Sequence, residues 1–281
     1  MFRRNRHLIR IAAPIAGAVI VLIAAAPESA LAQQSSQEWL ENCRDRSQED
    51  RRRVRHCEVR EATLAAPRLL EVSARPNGGI EVIGSERSDI RVIERVQTWG
   101  ETEADARELA GEVQSEMRGG RITSTGPSLR DSRNRGWSVS YVISTPRRID
   151  LDLGTVNGGI AITAVEGELS ATTTNGGISM ERVGGSVRAH TTNGGVDVRL
   201  AGARWVGEGL ELRTTNGGIR LAVPDGFGAQ LTASTVHGGI NTDFPLTVQG
   251  RIGRRVEAEI GDGGPPVRLS TTNGGIDIRR N

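Results

Sequence analysis

The sequence predicts a mainly β protein, a parallel β-solenoid of about six or seven coils behind an α+β lead-in with one helix. Three observations predict it. The string T-x-N-G-G-[IV], once as T-V-H-G-G-I, recurs six times between Thr155 and Ile276. Around every copy, apolar and polar residues alternate at period two, the mark of strands with one buried face. One stretch, Thr102–Met117, combines helical apolar spacing with a capping signal.

In chain order, the first segment reads as an export signal. Met1–Arg10 (MFRRNRHLIR) is basic, Ile11–Ala26 is apolar, and Ala30-Leu31-Ala32 is an A-x-A cleavage signal. The apolar core of 16 residues is short of a bilayer span. Cleavage after residue 32 is therefore expected, leaving a periplasmic, extracellular or cell-surface protein with no membrane span. Four of the 36 arginines and one of the 34 acids lie in residues 1–32, so the remainder carries 32 Arg against 33 acids. Such a balanced surface gives no electrostatic footprint for nucleic acid. The chain has no Lys, which excludes Schiff-base and lysine-base chemistry.

Residues 33–66 form a charged leader containing Cys43 and Cys57, the only two cysteines. In an oxidising compartment an even pair reads as a disulfide. Closing that loop stabilises it by about 3 kcal/mol in the chain-entropy model. Across 44–61 seven Arg face five acids, so Arg51-Arg52-Arg53 belongs to a solvated mixed-charge face. Part of this leader is expected to be helical.

The lead-in spans 67–148. Leu70, Val72 and Ala74 alternate, NGGIEVIG (77–84) turns the chain, and Ile90-Val92 begins another strand. Thr102 caps the helix with Asp105 at its third position, and Ala106, Leu109, Ala110, Val113 and Met117 share one face. Arg118–Arg135 reads as a connection. Trp137, Val139, Tyr141 and Ile143 alternate in a strand that ends at Pro146.

The repeats fill 149–281. The corner residues Asn157, Asn175, Asn193, Asn216, His237 and Asn273 are spaced by 18, 18, 23, 21 and 36 residues. The last interval leaves room for a coil lacking the motif or for an insertion over 241–272. Six and four positions before each corner stand apolar residues, Leu151 and Leu153 in the first copy. Two before is always Thr, and three and five after are again apolar except at Thr242. Asn-Gly alone suggests a hairpin. Recurrence of the same columns every 18–23 residues instead stacks each strand on its equivalent in the next coil, about 4.8 Å away. The glycines permit close approach of coils. The Asn side chains are expected to form an inward amide ladder, and Asn193→Leu to cost more stability than a change at outward Arg188.

Chemical sites are sparse. A phosphate-cradling loop needs a Lys, and a calcium-binding nonapeptide roll needs Asp on every turn, whereas Asp follows the corner only at 197 and 277. His237 substitutes for a corner Asn, and His190 stands at a variable outward position. No catalytic residue, cofactor or metal site is expected. The two longer coils place Arg204, Trp205, Glu208, Asp225 and Phe227 where the pattern breaks, and these are the candidate contact surface.

The strand VSYVISTP (139–146), the serial T-x-N-G-G-[IV] corners, the earlier NGGIEVIG and the helix at 102–117 resemble the bacterial adhesin-like family DUF4097 over roughly residues 69–280. The resemblance implies a β-solenoid, an extracytoplasmic setting and adhesin-like binding, and it supplies no active site. Some relatives are associated with envelope-stress systems. The expected function is that of an exported, non-enzymatic envelope protein, binding or structural, with an envelope polysaccharide or surface protein as partner and self-association through open end coils. Two alternatives are a polysaccharide-active β-helix enzyme and an envelope-stress sensor.

Overall fold

A strand with alternate apolar residues has one face to bury, and each T-x-N-G-G-I turn sets two such strands in opposite sheets. The computed structural model describes residues 28–49, 53–128, 134–200, 205, 207–244, 247–248 and 254–281. Of the expected export signal, residues 1–27 lie outside the described residues, and 28–32 open the first helix. Among the described residues no helix is long and apolar enough to cross a membrane.

The N-terminal part runs α1 (Glu28–Glu49), β1 (Val54–Ala65), β2 (Leu69–Ser73), β3 (Ile80–Ser85), β4 (Asp89–Gly100), α2 (Glu103–Glu112), β5 (Gln114–Arg118), β6 (Arg121–Thr125) and β7 (Gly136–Pro146). The repeats follow as strand pairs: β8 (Asp150–Gly154) with β9 (Ile160–Thr163), β10 (Glu166–Asn175) with β11 (Ile178–Glu181), and β12 (Gly184–Asn193) with β13 (Val196–Arg199). Next come β14 (Gly209–Asn216) with β15 (Ile219–Val223) and β16 (Ala229–His237) with β17 (Ile240–Thr242). Two short strands, β18 (Thr247–Val248) and β19 (Arg255–Ile260), precede the last pair, β20 (Pro266–Asn273) with β21 (Ile276–Arg280).

Two sheets face each other. The first has ten strands in the order β1-β4-β7-β3-β9-β11-β13-β15-β21-β17, and the second has eleven in the order β18-β19-β16-β20-β14-β12-β10-β8-β2-β6-β5. Every rung puts one strand in each sheet, paired in parallel and in register with its neighbours, Leu169 beside Val187 and Ile178 beside Val196. The apolar columns are the core: Leu151, Leu169, Val187, Leu210, Val267 and Leu231 on one side, Ile160, Ile178, Val196, Ile219 and Ile276 on the other, all at most 2% exposed. The fold is thus a two-sheeted β-solenoid, in which no rung has a core until the next covers it.

The stack has seven rungs among the described residues, and their order differs from chain order. Asn77 pairs with Asn157 and supplies a first rung, β2–β3. It escapes the repeat alignment because one extra residue precedes it: Leu70 is seven positions ahead of Asn77, whereas its partner Leu151 is six ahead of Asn157. At the other end no further coil fills the 36-residue interval among the described residues. Residues beyond β17 form β19, which runs antiparallel to β16, and β18, which runs antiparallel to β19. The chain then returns and inserts β20–β21 between β14–β15 and β16–β17. The rung displaced to the end has the weakest inner face, with Ala233, half-buried Ile240 and Thr242. The inserted rung brings Val267, Leu269, Ile276 and Ile278, each at most 1% exposed, into the position covered on both sides.

The N-terminal end is sealed by antiparallel pairing. Strand β7 joins β3 in parallel, β4 returns antiparallel on β7, and β1 on β4, while the β5–β6 hairpin closes the second sheet. Helix α2 starts where the sequence places it, Thr102 Oγ1 accepting from the Asp105 amide at 3.1 Å. It stops at Glu112, not Met117, because Val113 is already extended and 114–118 is β5. Residues 121–125, read as connection, are strand β6, and the charged leader contains β1 besides helix α1. The Cys43–Cys57 disulfide ties α1 to β1, and Trp39 of α1 lies 5.8 Å from the Arg95 guanidinium of β4.

Candidate functional site

The side of the molecule that carries the corners is the most regular surface. At each corner the Thr two residues before the Asn points inward and is at most 5% exposed. A buried hydroxyl needs a partner. Each of the six donates to the carbonyl of the first corner glycine in the neighbouring rung, at 2.8–2.9 Å. The rungs approach so closely that a Cβ on Gly158, Gly176, Gly194, Gly217, Gly274 or Gly238 would lie 2.0 Å from that same carbonyl oxygen.

The corner Asn side chains form one hydrogen-bonded file. Asn157 Nδ2 donates to Asn77 Oδ1, Asn175 to Asn157, Asn193 to Asn175, Asn216 to Asn193 and Asn273 to Asn216, all at 2.7–2.8 Å. Asn77 in turn donates to the Trp137 carbonyl at 3.3 Å, and His237 pairs beside Asn273 at the far end. The file is not inward. Asn157, Asn175, Asn193, Asn216, His237 and Asn273 are all exposed. The interior of the corner is taken by Thr and Ile, so the turning residue lies along the rim, where its amide spans one rung.

Beside this rim, the outer face of the first sheet holds a groove of about 600 Å³. Its floor is made of small residues, the second glycines of four successive corners (Gly79, Gly159, Gly177 and Gly195) with Ala161 and Ser179. Arg95 and Glu81 stand at one end and Asp197 at the other. Burial lowers the pKa of Arg95, and the charge of Glu81 opposes that shift. Asp197 is held by Arg220 at 2.9 Å. Similar pairs link other rungs, Arg188 with Glu168 at 3.0 Å and Arg199 with Glu181 at 3.2 Å. The acids of neighbouring rungs are therefore matched with arginines rather than set against each other as a carboxylate pair.

The five residues singled out in the longer coils do not form one surface. Trp205 is 7% and Phe227 2% exposed, both in the common core, so the added length lets a large ring turn inward. Glu208 and Asp225 are exposed, with Asp225 3.5 Å from Arg280, and Arg204 lies outside the described residues. His190 is outward between Thr172 and Arg213 on the second sheet. Among the described residues no group of three or more His, Cys, Asp or Glu is placed to hold a metal ion.

A second hollow, of about 480 Å³, lies where the Asn file begins and takes in Asn77, Trp99 and Trp137. In the sequence Trp137 stands out only as one of the alternating residues of the strand that ends at Pro146. The signal that could have exposed the hollow is the scarcity of aromatic residues, 3% of the whole chain, Trp99 and Trp137 included.

No curated protein matches the chain. Among solved structures it is similar to a candidate cell adhesion protein from Clostridium sporogenes, at 12% identity and TM-score 0.41, covering 80% of this chain and 100% of that one. It is also similar to a candidate adhesin from Bacteroides fragilis, at 9% identity and TM-score 0.39, covering 80% and 97%. A candidate lipid binding protein from Parabacteroides distasonis follows at 11% identity and TM-score 0.25, covering 80% and 97%. Residues 150–279, the rungs that build the corner rim, match the family described as Toastrack DUF4097. Over these rungs, 130 of its 281 residues, the chain is similar to that family.

Proposed function

We propose that the chain is an exported, non-enzymatic protein of the cell envelope that binds an envelope polysaccharide or surface protein along its corner side. The groove of about 600 Å³ across successive rungs carries this reading, because its small-residue floor lets a polymer lie against the sheet while Arg95, Glu81 and Asp197 offer polar ends. The Cys43–Cys57 disulfide supports export to an oxidising compartment, together with the basic, apolar and A-x-A order of residues 1–32. The arginine partners of Asp197, Glu168 and Glu181 support binding over hydrolysis, since an acid held by the arginine of a neighbouring rung is not set against a second carboxylate to work on one bond. The test is co-sedimentation of the exported protein with the purified envelope fraction, followed by analysis of the saccharide released. Saturable binding with unchanged polymer length is expected. Absence of binding overturns the reading, and so does cleavage that disappears when one acid or His is replaced.

A further inference from the structure

The chain has three Phe, one Tyr and four Trp, and two of those four Trp line the hollow at the start of the Asn file. Trp99, near the end of β4, lies against Gly136, where a Cβ would come within 2.2 Å of its ring. Trp137, in β7, lies against Gly126, where a Cβ would come within 2.7 Å. Both glycines are therefore sites where backbone and indole touch directly. The Trp137 indole N–H is already spent on the Pro127 carbonyl at 3.1 Å. Trp137 is 7% exposed, while Trp99 is half-buried, and both line the hollow.

The polar lining is balanced in charge. Arg135 reaches Asp105 at 3.0 Å and Glu112 at 3.4 Å, so its charge is compensated and does not select an anion. Asn77 and exposed Ser128 bring an amide and a hydroxyl to the same hollow. An apolar ring face beside uncharged donors and acceptors matches a sugar ring, which has a C–H face for the indole and hydroxyls at its edge. The hollow of about 480 Å³ is of small-ligand size.

We propose that this hollow is a subsite for a pyranose ring of a neutral polysaccharide, with Trp99 as the stacking platform. The proposal rests on the reading of the chain as an envelope-binding protein and names the chemistry of its ligand. The exported protein is titrated with two neutral hexasaccharides, cellohexaose and chitohexaose, and with an acidic one, hexagalacturonate, by calorimetry and tryptophan fluorescence. Saturable binding of a neutral hexamer is expected, weakened at least tenfold in Trp99→Ala and no more than twofold in Trp39→Phe. Ser128→Arg, which narrows the hollow and leaves both indoles in place, gives the same loss if Trp99→Ala fails to fold. No saturation with either neutral hexamer overturns the proposal. Undiminished affinity in a folded Trp99→Ala or Ser128→Arg variant overturns it too, as does preference for the acidic hexamer. Loss of hexamer binding with envelope co-sedimentation intact separates failure here from failure of the broader reading.

Discussion

Gly176 and Gly177 are neighbours in one corner, yet their surroundings differ. A Cβ on Gly176 would lie 2.0 Å from the Gly158 carbonyl oxygen, and one on Gly177 would lie 3.4 Å from that of Gly195. Neither glycine has a φ in the left-handed region, so the contrast is steric. Gly176→Ala must force two rungs apart and break the Thr173 hydroxyl bond to the Gly158 carbonyl, costing about 3 kcal/mol or more. Gly177→Ala needs a shift of a few tenths of an ångström and should cost under about 1 kcal/mol. Thermal unfolding should then drop by roughly 6–12 °C for Gly176→Ala and at most about 4 °C for Gly177→Ala. Equal drops would show that the carbonyl stack does not limit the corner. A second residue gives a pH-dependent readout. Tyr141, the only tyrosine, is 1% exposed, and burial raises its pKa, the charge of Glu94 adding to the effect. The folded state thus holds this proton after the unfolded chain has lost it. The contribution is complete below the ordinary value of about 10 and is lost as pH climbs from there through the raised folded value. Tyrosinate absorbance of the native protein should therefore appear only above that ordinary value, and Tyr141→Phe should remove this part of the alkaline loss of stability. Ionisation at the ordinary value with the fold intact would contradict it.

The elements that were legible are those whose burial alone dictates their sequence. Strand β7 alternates cleanly because Trp137, Val139, Tyr141 and Ile143 all face the core, and the repeat strands do the same in columns. Strand β1 was not legible, since it is an edge strand paired only with β4 and is half-buried along most of its length. Two of its polar residues are satisfied in mid-strand, Arg60 donating to the Val113 and Ala110 carbonyls and Glu61 accepting from Arg91. The end of α2 was misread for a related reason. Val113 and Met117 continue the helical spacing, yet they serve the same core from an extended segment, where period and pairing compete. The candidate contact residues failed differently. Lengthened coils were taken to display Trp205 and Phe227, but an aromatic ring in an aliphatic column needs additional chain to turn inward. The Trp99–Trp137 hollow was hidden because its two rings come from strands 38 positions apart, brought together by the pairing of Trp99 with Gly136.

At the scale of the whole molecule, rung order is the feature that chain order conceals. A solenoid grown in sequence would stack β16 on β14, whereas β20 lies between them. Two columns account for the exchange. His237 can take the last place beside the amide file, while Asn273 can accept and donate and so suits an internal place. Thr242 tolerates an end position that would waste Ile278. The arrangement also allows β19 to lie antiparallel on β16 and close the second sheet, so both ends of that sheet finish in antiparallel hairpins. Such ends do not offer a parallel template to another copy. Cross-linking tests the order directly. Ser234 and Ser270 are registered partners with Oγ atoms 3.5 Å apart, and Ser270 is also the partner of Arg213. Ser234→Cys with Ser270→Cys should form a disulfide on oxidation, seen as faster migration of the non-reduced chain. Arg213→Cys with Ser234→Cys should remain open, because two strand spacings, about 9.6 Å, exceed the reach of a disulfide. A bond in the second pair and none in the first would mean that the coils stack in chain order and that the last rung closes the end instead of filling the gap.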